Sequence, residues 1–455
     1  MRHFRLAEDC FLVEGERDGV LYDVLGRRIL ILDAGAHALL RRCEDGQPLL
    51  KADIEDPAVV RLLDGLCAAG LGAFYEAAVH VEKVLLHAPV EWRGFALQPP
   101  PFRKVDWSIS SECDWQCTFC PREESDVWWQ ACRTCLRRAA RQGGDQAWRD
   151  PAIVIEQIVA LGIGGLHIRG GNPLLGWSRL LAVLTAAADL GPLNVVVSTP
   201  GSGRPVVELV ELYERFKQFR LNIVLFATDA AASGRTPRRA AQEALLDELA
   251  HRGLPFTLTL VLDGPSDPAQ AARVRNEMAK RWGTRPSPAE VLSEDALRAG
   301  HRFSHVAEKT KPLSRWLTPE SFYFRVDKNT CLHGAFEIGV DGVVTPCAAV
   351  DEPCGRIEHN DLRRALSGSD LYEHWSRGKQ DVTPCATCAL RYACADCTAV
   401  ELRGQELAAA KGAYCSFDPQ AGTRAHELDW AQPEFVSVLR MADLQGDTAP
   451  CPTTS

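Results

Sequence analysis

Apolar and polar positions along this chain follow two alternating patterns. From Val105 onward, short runs that are apolar on both faces take turns with longer stretches whose apolar residues recur at helical spacing. The runs at 105–109, 166–169, 193–197, 221–226 and 256–262 read as strands. The stretches at 152–161, 177–190, 205–216, 238–252 and 268–282 read as helices. Strands buried on both faces and separated by helices predict a parallel sheet built from βα units, with an active site at the strand C-termini. A sixth strand of this series has no clear position. Ahead of it, short β-prone pieces at 10–13, 20–24 and 28–32 precede Asp33, which stands where a helix N-cap belongs. Helices at 34–42 and 57–69 and a strand at 71–75 complete a small winged-helix-like α+β unit. Near the other end, 322–326 and 336–344 read as strands, with a tight turn at Asp341-Gly342.

A chain of 455 residues is too long for one ordinary core. The pattern divides it into 1–80, a connector at 81–102 ending in Gln98-Pro99-Pro100-Pro101, a βα core at 103–290, a bridge at 291–320, a cysteine-rich domain at 321–430 and a tail at 431–455 whose end, from Thr448 to Ser455, is expected to be mobile. The formal charge of −9 and the lack of a basic run argue against nucleic-acid binding. The helix at 57–69 carries Asp56, Arg61 and Asp64, a poor recognition helix for DNA. No apolar run approaches a membrane span, and the N-terminus lacks a signal-peptide core, so a cytoplasmic protein is expected.

The 17 cysteines change the picture most. In a reducing compartment they are not a disulfide framework, and their clustering reads as metal sites. Cys113, Cys117 and Cys120 stand at C-x3-C-x2-C, just after the first strand of the βα series. Three thiolates on one loop fit a [4Fe–4S] cube and leave one iron open to an exogenous ligand. A zinc knuckle or scattered core thiols is the plainer alternative. Cys132 and Cys135 form a C-x2-C pair in an insertion with Trp128 and Trp129. The pair suits metal binding, redox exchange or hydrogen-atom donation, or else a turn with two inward thiols. Eight more cysteines crowd between Cys331 and Cys415. Cys10, Cys43, Cys67 and Cys451 stand apart.

The first cysteine motif, with Phe119 before its last member, resembles the signature of the radical S-adenosylmethionine (radical SAM) superfamily. Two turns are similar to that family's: Gly170-Gly171-Asn172-Pro173 after the second strand, and Ser198-Thr199 after the third. The resemblance implies a partial (β/α)6 barrel, an overall α/β fold, and SAM chelated to the open iron. It also implies that Phe119, Gly170, Gly171, Asn172, Pro173, Ser198 and Thr199 line the SAM site. The family usually has Glu where Asn172 stands; an amide lacks the charge that roughly doubles such a hydrogen bond. The later cysteines resemble the SPASM domain, apart from an x2 interval between Cys394 and Cys397 where x3 is usual. That resemblance implies two auxiliary [4Fe–4S] clusters: one on Cys331, Cys347 and Cys397, with Cys354 as candidate fourth ligand, the other on Cys385, Cys388, Cys394 and Cys415. The first 80 residues look like a PqqD-like domain, or RiPP recognition element, which adds a precursor's leader peptide as a strand at a sheet edge.

Together these resemblances imply a radical SAM/SPASM maturase of a ribosomally made precursor peptide, with three [4Fe–4S] clusters, SAM, and an electron donor such as flavodoxin or ferredoxin. A 5′-deoxyadenosyl radical would take a substrate hydrogen. A thioether or carbon–carbon crosslink is the leading outcome, because an auxiliary cluster can accept the surplus electron. Epimerisation needs a hydrogen donor, for which Cys135 and Cys354 are the candidates. Maturation of a sulfatase- or quinoprotein-type protein, cofactor biosynthesis, and a non-catalytic Fe–S or peptide-binding scaffold are the alternatives.

Overall fold

The computed structural model describes residues 2–84, 102–115, 117, 120, 126–136, 150–191, 193–227, 237–304, 317–367, 370–383, 385–394, 397–415 and 437–440. Gln98-Pro99-Pro100-Pro101, Phe119 and 448–455 lie outside these residues.

The N-terminal unit begins with β1 (His3–Leu6), β2 (Cys10–Glu14), β3 (Gly19–Asp23) and β4 (Arg28–Leu32). Asp33 caps the helix Ala34–Glu44 by accepting from the Ala36 N–H. A short helix, Lys51–Glu55, which the apolar pattern does not mark, precedes Pro57–Ala68, and β5 (Gly72–Tyr75) returns to pair antiparallel with β1. The helices and strands close on one apolar core that includes Phe4, Leu21, Leu30, Leu40, Leu66 and Phe74. β2, β3 and β4 form an antiparallel sheet.

The central sheet starts with β6 (Lys104–Ser108). β7 (Val127–Trp129) belongs to the insertion, and β8 (Gly165–Arg169), β9 (Asn194–Thr199), β10 (Phe219–Phe226), β11 (Phe256–Asp263) and β12 (Ser287–Leu292) follow. The strands β6, β8, β9, β10, β11 and β12 pair in parallel in that order. β12 is the sixth strand that the apolar pattern does not mark: Ser-Pro-Ala-Glu opens it with three residues of low β propensity. Helices Pro151–Ala160, Trp177–Leu190, Val206–Arg215, Pro237–His251 and Pro268–Trp282 alternate with these strands. Their apolar faces and the strands share a core in which Val105, Ile168, Val197, Leu221 and Leu260 have no exposure. This is an α/β domain with a large, mostly parallel sheet.

The C-terminal region extends that sheet. β13 (Ala335–Ile338) pairs in parallel with β6, and β14 (Val343–Thr345) and β15 (Gly355–Arg356) continue antiparallel; β7 closes the far edge against β12. Residues 336–344 are therefore a hairpin around Gly342, whose φ is +77°. Residues 322–326, read above as a strand, belong to the helix Pro319–Asp327. Thr318 caps it and Pro319 occupies its first turn, signals that outweigh the aromatic run. Short helices Leu362–Ser367 and Leu371–Ser376 lead to Thr398–Glu406 and Ala408–Tyr414.

The tail contributes β16 (Ser437–Arg440), which pairs in parallel with β4 at the edge of the N-terminal sheet. The opposite edge, β2, meets the cysteine-rich region. Tyr22 Oη donates to Ala389 O, Arg391 donates to Glu14 O, and Phe11 stacks near Phe322 and Tyr323. Both edges of this sheet are engaged. No helix among the described residues is long and apolar enough to cross a membrane.

Candidate active site

The C-terminal end of β6 runs into the loop that carries Cys113, Cys117 and Cys120. All three are half-buried and line a small pocket with Trp115, Trp128, Cys135, Phe226 and Val261. The Trp115 N–H donates to Cys113 Sγ at 3.4 Å, and the indole N–H donates to Ser202 Oγ at 2.8 Å. Cys135 belongs to this group. Burial, followed by Cys113, Cys117 and Cys120, pushes its thiol well above the ordinary value, so it stays protonated.

The turn after β8 supports the cysteine loop from below. Gly170 and Gly171 have φ of +97° and +65°. A Cβ on Gly170 would stand 2.3 Å from Ser110 O, and one on Gly171 would stand 2.3 Å from Glu112 O. Only glycines allow both the conformation and the approach. The Gly171 N–H donates to Cys135 O at 3.0 Å and the Asn172 N–H to Glu112 O at 2.7 Å, tying the turn to both cysteine segments.

Asn172 is fully buried, and both ends of its amide are used inside the protein. Its Nδ2 donates to Asp114 Oδ1 at 2.9 Å and to Ser202, while its Oδ1 accepts from Thr199 Oγ1 at 2.8 Å. A glutamate here would set a second carboxylate beside Asp114, which accounts for the amide. Ser198 points elsewhere: its Oγ meets His167 Nε2 and Asn222 Nδ2, each at 2.7 Å. Pro173 is buried in the same turn.

Inside the sheet's curl lies a polar network that the motif reading missed. Its signal was present, as charged residues at alternate positions of otherwise apolar strands. Lys104 Nζ lies 2.8 Å from Asp106 Oδ1, which lies 2.8 Å from His167 Nδ1. Burial opposes ionisation of Asp106, but Lys104, His167 and Arg169 outweigh it and hold the carboxyl well below its ordinary value. Burial lowers the His167 pKa and keeps the ring neutral. Arg169 has no exposure, and its Nη2 donates to Leu136 O at 3.2 Å. Asn222 Nδ2 also donates to Arg133 O at 2.8 Å, and Arg133 Nη1 reaches Ser287 Oγ at 2.8 Å. A flat sheet would hold β8 and β12 about 19 Å apart. One short segment, Arg133 to Leu136, bonds to both, so the sheet wraps around it.

The later cysteines fall into two groups. Cys397 lies near Cys331, Cys132 and Cys347, and Cys388 lies near Cys415 and Cys385. Burial, with those neighbours behind it, pushes Cys397 well up and Cys388 to about 12. Cys388 and Cys394 both act on Tyr22. Cys354, the candidate fourth ligand of the first group, shares a core cluster with Cys347. Cys354 packs in the central core, its thiol donating to Glu352 O at 3.7 Å, and the charges acting on it are Asp370 and Glu352.

Thiolate-only donor sets suit zinc or Fe–S clusters. Four thiolates on one zinc stand about 3.8 Å apart, given a Zn–S bond near 2.3 Å in a tetrahedron. Among the described residues, Asp9, Cys10 and Asp23 alone bring three ligand atoms within 4.8 Å of one another. No cysteine group among the described residues brings three thiols that close together. Asp23 is meanwhile taken by Arg28 and the Gly26 N–H, and burial holds the Cys10 thiol protonated, so that trio is no metal site.

Residues 107–271 match the family model of the Radical SAM superfamily. The chain carries a radical SAM domain and is a radical SAM enzyme, whose domain implies a [4Fe–4S] cluster and SAM. No curated protein sequence matches it. Among solved structures, it is similar to Streptococcus suis SuiB bound to precursor peptide SuiA, at 14% identity and a TM-score of 0.47, covering 92% of this chain and 99% of that one. SuiB bound to S-adenosylmethionine gives 15% and 0.45, with 87% and 96% covered. The anSMEcpe structure with bound AdoMet and Cp18Cys peptide gives 13% and 0.39, with 65% and 88% covered. At these scores the likenesses assign no substrate to this chain.

Proposed function

We propose that this radical SAM enzyme modifies a ribosomally made precursor peptide, with residues 1–80 as a leader-binding element and 321–430 as a SPASM domain. SAM cleaved at the cluster on Cys113, Cys117 and Cys120 supplies a radical that takes a hydrogen atom from the peptide. The cysteine loop and the turn Gly170 to Pro173 hold that cluster at the mouth of the sheet. Trp115, Trp128 and Phe226 wall it with apolar surface. Crosslinking then removes one further proton and one electron from the peptide, and the auxiliary cluster on Cys331, Cys347 and Cys397 accepts the electron. A second auxiliary cluster on Cys385, Cys388, Cys394 and Cys415 continues the path to an external donor or acceptor such as flavodoxin or ferredoxin.

The observation that carries the peptide reading is the pairing of β16 with β4. That edge accepts a strand from a distant part of the chain, which is the capability leader docking by strand addition requires. Epimerisation is the second reading, favoured by Cys135, a protonated thiol beside the radical cysteines. Its S–H would return a hydrogen atom to the substrate carbon, and the thiyl left behind would take an electron from the external donor and a proton from solvent.

The test is co-expression of the full chain with a candidate precursor peptide at low oxygen, followed by mass spectrometry. Loss of two hydrogens, abolished by Cys117→Ala, supports crosslinking. An unchanged mass with one solvent deuteron gained, abolished by Cys135→Ala, supports epimerisation. No change of either kind for any peptide that binds the chain sinks the peptide reading.

A further inference from the structure

The C-x2-C pair divides between two centres. Cys135 faces the radical cysteines, while Cys132, three residues earlier in the turn Ala131–Arg133, lines a separate pocket with Lys104, His167 and Asn222. Several contacts place the later cysteines beside this turn. The Cys397 thiol lies 3.9 Å from Trp128 O, and the Gln130 N–H donates to Cys397 Sγ. The helix beginning at Thr398 packs against β7, just before the turn. The Thr398 hydroxyl donates to Asn329 Oδ1 at 3.1 Å, and Thr398 lies beside Cys331. Cys347 packs on the apolar cluster that contains Trp128 and Ala131. Cys132 acts electrostatically on Cys331 and on Cys397. Cys331 retains accessible surface, yet protein crowds its sulfur closely. Cys132, Cys331 and Cys347 thus all lie near Cys397.

Charge around the group points the same way. Lys104 and Arg169 lie near Cys132, and Arg103 lies near Cys331. Asp106 and Glu337 are the carboxylates acting on Lys104 and Arg169. Arg169 is the strongest sign. It is wholly buried, its Nε and Nη1 have no hydrogen-bond partner, and its ion pair with Glu337 is long, at 3.9 Å. A buried guanidinium with open N–H groups calls for a buried anion. Glu337 and Asp106 are the nearest such anions, and a thiolate-ligated cluster beside Cys132 would supply a further one.

We infer that Cys132 is the fourth thiolate ligand of the iron–sulfur cluster held by Cys331, Cys347 and Cys397, and that it closes this cluster to substrate. Ligation replaces the S–H with an S–Fe bond and releases one proton. A cluster with four cysteine ligands has no iron free for a peptide thiolate or carboxylate, so it exchanges electrons with substrate without binding it. The inference rests on the reading of Cys331, Cys347 and Cys397 as cluster ligands.

The test uses the full chain with Cys113→Ala, Cys117→Ala and Cys120→Ala, so that only auxiliary clusters remain, reconstituted without oxygen. Iron and sulfide per chain are measured, and the electron paramagnetic resonance spectrum of the reduced protein is recorded with and without cyanide, which binds an open iron. The expected parent spectrum is indifferent to cyanide. Adding Cys132→Ala makes one spectral component cyanide-sensitive, and mild oxidation then removes about one iron per chain. Cys354→Ala matches the parent. Cys132→Ser, whose oxygen can still ligate, keeps the iron and shifts the same component, and it serves if the alanine variant does not fold. A cyanide-sensitive parent, or a Cys132→Ala protein identical to the parent, overturns the inference. Cys331→Ala, Cys347→Ala and Cys397→Ala separate the two levels. If each removes a component while Cys132→Ala does not, the cluster stands and only the fourth ligand is wrong. If none does, no cluster sits there and the underlying reading falls too.

Discussion

The central sheet and the cysteine-rich region are parts of one protein held by different forces. β10 and β11 are eight residues each, buried on both faces and backed by helices of ten to fifteen residues. From Cys331 to Cys415 no strand exceeds four residues and the longest helix has nine, among the described residues. Elements this short nucleate poorly and bury little by themselves. The sheet owes its form to apolar burial within long elements, whereas the cysteine-rich region, which shares part of that core, would gain further order from the proposed clusters. Regions that bind metal commonly lose order with it.

The sharpest break of this comparison is metal removal. Chelation and mild oxidation of the purified protein are expected to open 331–415 to trypsin while fragments spanning β6 to β12 survive; simultaneous loss of both would show that the sheet also needs metal. Leu221→Ala should act oppositely. It deletes a fully buried side chain from the sheet, costing about 2–5 kcal/mol in denaturant unfolding, with the iron content of the folded fraction unchanged. Asn172→Asp sits at the junction of the two forces. It replaces a donor with a carboxylate facing Asp114, and a loss of about 1–3 kcal/mol is expected, with weaker iron retention on the first cysteine loop. Retention equal to wild type would remove Asn172 from the support of that loop.

The smallest effect concerns pH. The folded-state pKa of His167 is lowered by burial, so over part of the acidic range the unfolded chain binds a proton that the folded chain does not. Its contribution is therefore complete above the unfolded value, near 6.5, and is lost as pH falls toward the folded value. Wild-type stability should decline over that window more steeply than that of a His167→Gln variant, measured by thermal unfolding. Parallel curves would show that His167 does not titrate on unfolding.

The strand–helix alternation was readable because it depends on local apolar period. Trp177–Leu190 and Pro268–Trp282 have the bounds that the pattern gave. β12 was not readable, since its burial comes from neighbours rather than from its own composition. Residues 322–326 misled because an aromatic run looks β-prone, while the capping signal sat at Thr318 and Pro319, just before it. At the site, the resemblance of the cysteine pattern supplied candidate ligands and their two groups, and Cys331 and Cys347 do lie near Cys397 while Cys385 and Cys415 lie near Cys388. Cys354 lies close in sequence to Cys347 and shares its core cluster. Cys132 lies about 200 residues from Cys331 and faces it, a long-range outcome of the sheet's curl that no local pattern encodes. Arg169 and Asp106 were visible as charges in apolar strands, and their meaning came only with the network around them.

The pairing of β16 with β4 sets a threshold for any incoming peptide. A tethered segment meets its own edge at an effective concentration on the order of millimolar, whatever the protein's dilution. A leader present at micromolar levels prevails there only if its affinity exceeds that of the free tail sequence by about a thousandfold, or about 4 kcal/mol. On the proposed leader-binding role of residues 1–80, the tail would act as a filter on affinity, turning away weak strand-forming peptides and yielding to a cognate leader by displacement.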